Sequence, residues 1–144
     1  MNSTTFPKMH VSLYVSDINQ TVSFYERFFD QAPSKVKERY AKFELEDPSL
    51  IISFVENPAN VSKNFGHLGF QVEDTEELKS RLGQAMTHQL PIDEEMGVSC
   101  CYAKQDKFWV TDPDKIQWEV YYFHEDAEFN DPRYSLADDS ASCC

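Results

Sequence analysis

Two stretches of the chain alternate hydrophobic and polar positions in the same way. From His10 to Asp17, Val11, Leu13 and Val15 (with Met9 before them) alternate with His10, Ser12 and Tyr14; from His67 to Asp74, Leu68, Phe70 and Val72 alternate with His67, Gly69 and Gln71. A period of two predicts a strand with one apolar face, and in both copies a histidine opens the polar face. Each strand runs into a helical pattern. Asp17 with Gln20, and Asp74 with Glu77, have the spacing of a capping box, in which the first side chain accepts from a backbone N–H left unpaired at the helix start. The expected apolar stripes are Ile18, Val22, Tyr25 and Phe29 in the first helix and Leu78, Leu82, Ala85 and Met86 in the second.

A further echo follows, since Phe43 to Pro48 (FELEDP) resembles Phe108 to Pro113 (FWVTDP), with Asp-Pro marking a turn between two strands each time. The chain therefore reads as strand, helix, then two or three strands, twice over. The units span about 8–56 and 64–123 and are joined by 57–64. Two open, apolar-backed sheets are expected to pair within one domain, 1–124, with their polar faces lining a shared cleft. The last strand alternates Ile116, Trp118, Val120 and Tyr122 with Gln117, Glu119 and Tyr121. Glu119 thus joins the two histidines on the polar side.

Composition narrows the functions open to such a domain. At 144 residues, 41% apolar and 14% aromatic, the chain is long enough for one domain with a core. With 25 acidic against 13 basic residues its net charge is −12, a poor surface for nucleic acid or anionic lipid. The last twenty residues hold six Asp or Glu and only Arg133, so 125–144 reads as a solvated acidic tail. No apolar run, such as Leu50-Ile51-Ile52, approaches the roughly 20 residues of a membrane span, and Met1 to Lys8 lacks a signal-peptide core. No Gly-rich phosphate loop can be written. Cys100-Cys101 and Cys143-Cys144 are adjacent pairs, not a disulfide framework, so reduced thiols in the cytoplasm are expected.

His10, His67 and Glu119 form a 2-His-1-carboxylate set, a donor combination suited to non-haem Fe(II) because it leaves coordination positions open. Alternation alone leaves open whether they converge or stand apart as ordinary polar-face residues. Cys100-Cys101 adds soft thiolate donors suited to thiophilic centres, and the pair could chelate trivalent arsenic. Because adjacent strand residues point to opposite faces, the pair is expected in a turn or irregular segment. Gly97 and the acidic Asp93-Glu94-Glu95 before it favour a loop there. Two small buried hydrophobes are the alternative. Cys143-Cys144 reads as a simple terminus, and His88 and His124 as surface or loop residues.

With these residues in view, positions 8–123 resemble the vicinal oxygen chelate superfamily of glyoxalases, bleomycin-resistance proteins and extradiol dioxygenases. The fold this implies is α+β, two paired βαβββ modules forming an incomplete barrel, with metal ligands on the first and last strands of each module. Aligning Asp47-Pro48 with Asp112-Pro113 puts Ser53 or Phe54 at the fourth ligand position, where glyoxalase-like members carry a carboxylate. The run from Ser99 to Pro113 (SCCYAKQDKFWVTDP), then Trp118 to Tyr121, with Tyr40 to Glu44 and Val22 to Tyr25, is more specific. It resembles the carbon-arsenic lyases and the cadmium-induced proteins grouped with them, many of which have glutamine where this chain has His10.

That resemblance implies cleavage of trivalent organoarsenicals such as methylarsenite to arsenite, dependent on Fe(II) and dioxygen. Other divalent metals, zinc, nickel or manganese, are expected as occupants of purified samples. His10, His67 and Glu119 would be the metal ligands and Cys100 and Cys101 the substrate-binding pair, with Glu119, Tyr102 and Tyr121 in catalytic roles and Lys104 nearby. The site closes either within a chain or across a homodimer. An extradiol ring-cleaving dioxygenase and a non-catalytic protein sequestering cadmium or arsenite on its thiolates are the alternatives.

Overall fold

A computed structural model describes residues 6–100 and 103–126 of the chain. The chain divides into two compact units, Met1–Asn64 and Phe65–Cys144. In the first, strand β1 (Met9–Val15) leads into helix α1 (Ile18–Phe29), followed by β2 (Lys35–Lys37), β3 (Tyr40–Leu45) and β4 (Leu50–Glu56). In the second, β5 (His67–Gln71) leads into α2 (Thr75–Thr87), followed by β6 (Ile92–Cys100), β7 (Ala103–Thr111) and β8 (Gln117–Asp126). Each unit is one mixed four-stranded sheet, ordered β1-β4-β3-β2 and β5-β8-β7-β6, in which the first strand pairs parallel with the last. Such a parallel pair needs a crossover, and the helix supplies it. The βαβββ pattern expected from the repeat is thus present twice. A one-turn 3₁₀ helix at Pro58–Asn60 opens the connection between the units, and no described helix is long and apolar enough to cross a membrane.

Both helix starts are capped as the spacing predicts. Asn19 and Gln20 N–H donate to Asp17 Oδ1, and Glu77 N–H donates to Asp74 Oδ1. Glu77 returns the favour one residue upstream, where its Oε2 accepts from Glu73 N–H at 2.9 Å. Glu56, at the end of β4, accepts from Ile18 N–H at 3.0 Å and so ties the start of α1 to its own sheet.

The core of the first unit is aromatic. Tyr25 lies under Phe54 with ring centroids 4.4 Å apart, and Phe43 packs edge-on to Phe54 at 6.1 Å. In the second unit Leu78, Leu82 and Ala85 of α2 and Phe108, Val110, Trp118 and Val120 of the sheet are buried. Three details depart from the pattern. The buried face of α1 is Ile18, Thr21, Phe24 and Tyr25, with Val22 and Phe29 only half-buried, because the helix rotates to seat Tyr25 against Phe43 and Phe54. Met86 and Met9 are exposed, each lying beyond the edge of its apolar stripe.

The segment 92–100, expected as a loop, is a strand. β6 sits at the edge of its sheet, where Asp93 and Glu94 reach solvent, and a register shift between Glu95 and Val98 absorbs Met96-Gly97 as a bulge. β8 likewise runs to Asp126, two residues into the expected tail, because Asp126 still pairs with Ala103. Residues 127–144, including Cys143 and Cys144, lie outside the described residues.

The caps give a direct check on this reading of the helices. Asp17→Ala removes the acceptor of two N–H groups and is expected to cost about 1 kcal/mol, with Asp17→Asn losing far less. Urea unfolding of the two variants beside the parent measures the difference.

A carboxylate and imidazole half-site on the second sheet

The ladder of the second sheet sets out the site in rows. His67 lies opposite Gln117, which pairs with Thr111; Gly69 lies opposite Glu119, which pairs with Trp109; Gln71 lies opposite Tyr121, which pairs with Lys107. Because neighbours two apart on a strand share a face, His67, Glu119, Tyr121, Lys107 and Trp109 all stand on the side away from the apolar face of α2. His67 Nε2 is 3.6 Å from Glu119 Oε1, and Lys107 Nζ donates to Glu119 Oε2 at 3.0 Å. The carboxylate is therefore divided, one oxygen held by the ammonium and the other turned to the imidazole.

The middle of this face, at Lys107 and Glu119, is dry where alternation predicts only that it is polar. Lys107 is 0% exposed and Glu119 9%. A buried ion pair needs good geometry to offset the loss of water around both charges, and the 3.0 Å contact supplies it. Trp109 closes the group, its ring perpendicular to His67 with centroids 5.1 Å apart and 5.6 Å from Lys107 Nζ. Burial, then the neighbouring Glu119 carboxylate, raises the Tyr121 phenol above its ordinary 10.0, so at neutral pH Tyr121 is a hydrogen-bond donor.

Gly69 is required by this arrangement. A methyl group on it would fall 2.5 Å from the Glu119 carbonyl oxygen and 2.6 Å from Glu119 Cγ, closer than any real contact allows. Only a residue without Cβ lets the Glu119 side chain rise beside β5 toward His67.

The first unit repeats the geometry with different chemistry. His10 lies opposite Ile51 and Ser12 opposite Ser53, so Ser53, and not Phe54, occupies the ladder position that Glu119 holds in the second unit. Phe54 points into the aromatic core. The Asp-Pro turns differ by a residue, with 46–49 joining β3 to β4 and 112–116 joining β7 to β8; counting from Asp-Pro therefore misplaces the match by one. His10 is exposed, and its Nε2 lies 3.5 Å from Ser53 Oγ, much as His67 stands from Glu119.

Among the described residues no three His, Cys, Asp or Glu side chains gather into one cluster within either unit. The second sheet does bring together an imidazole nitrogen and a carboxylate oxygen. Donors bound at about 2.1 Å to one cation stand roughly 3 Å apart, so the 3.6 Å pair needs little adjustment to share a divalent first-row metal, and the nitrogen and oxygen donor types suit one. Cys100 is the last residue of β6, paired with Ala103 of β7. Cys101 and Tyr102 lie outside the described residues. His124 is exposed on β8, 2.9 Å from Asp106, and His88 follows the last turn of α2. Lys107, Trp109 and Gly69 are site residues that the sequence pattern did not single out, and of the two candidates Ser53 and Phe54 the ladder selects Ser53. The ladder alignment of the two units was the signal that identifies Ser53.

Comparison with known proteins agrees with this architecture. Residues 9–120 match the Glyoxalase/Bleomycin resistance protein/Dioxygenase superfamily. A trivalent organoarsenical cleaving enzyme of Bacillus sp. (strain MD1) is 40% identical over 124 residues, covering 84% of this chain and 76% of the relative. The cadmium-induced protein CadI of Mycobacterium bovis is 34% identical, covering 95% and 91%. Among solved structures, a glyoxalase/bleomycin resistance protein/dioxygenase from Alicyclobacillus acidocaldarius superposes with a TM-score of 0.68 at 14% identity, over 83% of this chain and 92% of that one. At that identity the likeness concerns the fold.

The ion pair makes a measurable demand on stability. Lys107→Met leaves the Glu119 charge without its buried partner and is expected to cost about 3–5 kcal/mol. Removing both charges, in Lys107→Met with Glu119→Leu, should recover most of that loss. Urea unfolding of the two single variants and the double variant gives the coupling, and additive losses would mean that the pair is not the stabilising contact.

Proposed function

Because the chain belongs to the glyoxalase/bleomycin resistance protein/dioxygenase superfamily, we propose that it is an enzyme that cleaves the carbon–arsenic bond of trivalent organoarsenicals such as methylarsenite, using Fe(II) and dioxygen and releasing inorganic arsenite. The observation that carries this reading is the His67–Glu119 half-site on the same sheet in which β6 ends at Cys100. Relatives named as organoarsenical cleaving enzymes, 35% and 40% identical, support it.

In this reading His67 and Glu119 hold the metal, with His10 as the further histidine ligand that the family resemblance implies. Bound Fe(II) would supply the electrons that activate dioxygen. Ser53, at the fourth ladder position, contributes a neutral hydroxyl where a carboxylate would take up a further coordination position. Lys107 keeps Glu119 Oε2 engaged, leaving Oε1 as the oxygen turned to His67. Cys100 and Cys101 take the trivalent arsenic as a soft dithiolate, leaving its carbon substituent free. Tyr121, with its phenol held neutral, donates a hydrogen bond on the same face as Glu119, and Tyr102 is the second tyrosine in line for proton transfer. The reducing cytoplasm is the compartment in which the thiols stay available.

Arsenite release from methylarsenite, in air, by protein loaded anaerobically with Fe(II), tests the proposal, with metal-free protein and an oxygen-free reaction beside it. Release should require both iron and oxygen. His67→Ala should lose the bound iron, and Cys100→Ser should lose affinity for methylarsenite while retaining iron. Methylarsenite held without product would instead make the protein a thiolate trap for metalloids, and ring opening of catechols without arsenical turnover would make it an extradiol dioxygenase.

A further inference from the structure

Trp109 packs against both His67 and Lys107 of the half-site. It stands opposite Glu119 in the ladder and is 6% exposed. From β7 its indole reaches across β8 to the imidazole of His67 on β5, where the ring planes meet at 87°. With strands about 4.8 Å apart, that reach is close to 10 Å between backbones, a span suited to the largest side chain. At its other end the indole Nε1–H points to Glu95 Oε2 at 3.4 Å. Glu95 is the last regularly paired residue of β6 before the register shift.

The first unit shows what the same ladder position does without an indole. There Lys42 pairs with Ser53 as Trp109 pairs with Glu119, and its ammonium lies 3.3 Å from Glu44. The indole is thus specific to the half that carries the carboxylate.

A histidine on an edge strand has a broad second torsion, and a metal-binding imidazole works only when its plane is fixed. In most metal sites a hydrogen bond on the second ring nitrogen does this. Among the described residues the neighbour that packs on the His67 ring is an aromatic one, in the perpendicular geometry that aromatic pairs favour. We propose that Trp109 is the positioning residue that sets the ring orientation of His67, and that Glu95 sets Trp109 in turn through its indole N–H. The consequence for metal binding rests on the function proposed above; the orientation of His67 does not.

Two readouts separate these claims. In metal-free protein, long-range 1H–15N spectra report the His67 imidazole, assigned by its loss in His67→Gln. In titrations with Co(II) alone, visible absorption reports affinity and ligand geometry. Trp109→Leu should shift and broaden the His67 ring signals and weaken Co(II) binding about tenfold or more, the range expected when support around a ligand is removed. Trp109→Phe, which keeps an aromatic face, should stay within about threefold of the parent, and Glu95→Gln should fall between them. Unchanged His67 signals and Co(II) affinity in Trp109→Leu would overturn the proposal. If Trp109→Leu does not fold by circular dichroism, Trp109→Met, which also removes the aromatic face, takes its place, and unchanged His67 signals there would overturn the proposal equally. Failure of the parent to bind Co(II), or Glu119→Ala binding as well as the parent, would instead refute the metal reading, and the metal-free spectra would still decide the role of Trp109.

Discussion

The second sheet is organised around one carboxylate withdrawn from water. Glu119 sits in the middle of a ladder row, and its charge is compensated on one oxygen by the Lys107 ammonium at 3.0 Å. That contact divides the labour of the two oxygens and leaves the other toward His67. It also requires a particular neighbourhood. Gly69 must lack a Cβ for Glu119 to stand where it does, and Lys107 must be covered, which Trp109 does from the next position on the same face. Each of these residues has its place because the carboxylate is buried.

The two units show how much chemistry a fixed ladder can vary. Both place a histidine early on the first strand and a short contact to the last strand, 3.5 Å to Ser53 in one and 3.6 Å to Glu119 in the other. The backbone is the same in outline while the row opposite the histidine is neutral in the first and ionic in the second. Helix capping is nearly invariant between them, with Asp17 and Asp74 in the same role. On the polar face such variation leaves undisturbed the apolar side that holds helix to sheet.

Much of this was legible from the chain alone. Alternation located β1, β5 and β8, the Asp caps located the helix starts, and the shared polar face picked out His67 and Glu119 as candidates without showing that they meet. What alternation cannot report is whether a polar face is wet. Lys107 reads as a solvent-facing strand lysine, and it is buried because Glu119 lies across from its row and Trp109 covers it. The acidic run at Asp93-Glu94-Glu95 reads as a loop for the converse reason, since at a sheet edge acidic residues can reach solvent without breaking the strand. The one-residue difference between the two Asp-Pro turns left Ser53 and Phe54 both open as the match to Glu119, and the pairing register decides for Ser53. In α1 the stripe turned because ring packing among Tyr25, Phe43 and Phe54 outweighs a purely periodic placement of apolar residues.

Burial of the Lys107 ammonium also alters its reactivity toward reagents in solution. Lys35 and Lys37 on β2 are exposed and open to acylation, whereas Lys107 is 0% exposed and can be reached only when the second sheet opens. Its rate of modification then measures the frequency of local opening. One amine on the chain thus serves as an internal clock for the breathing of the very face that carries the carboxylate.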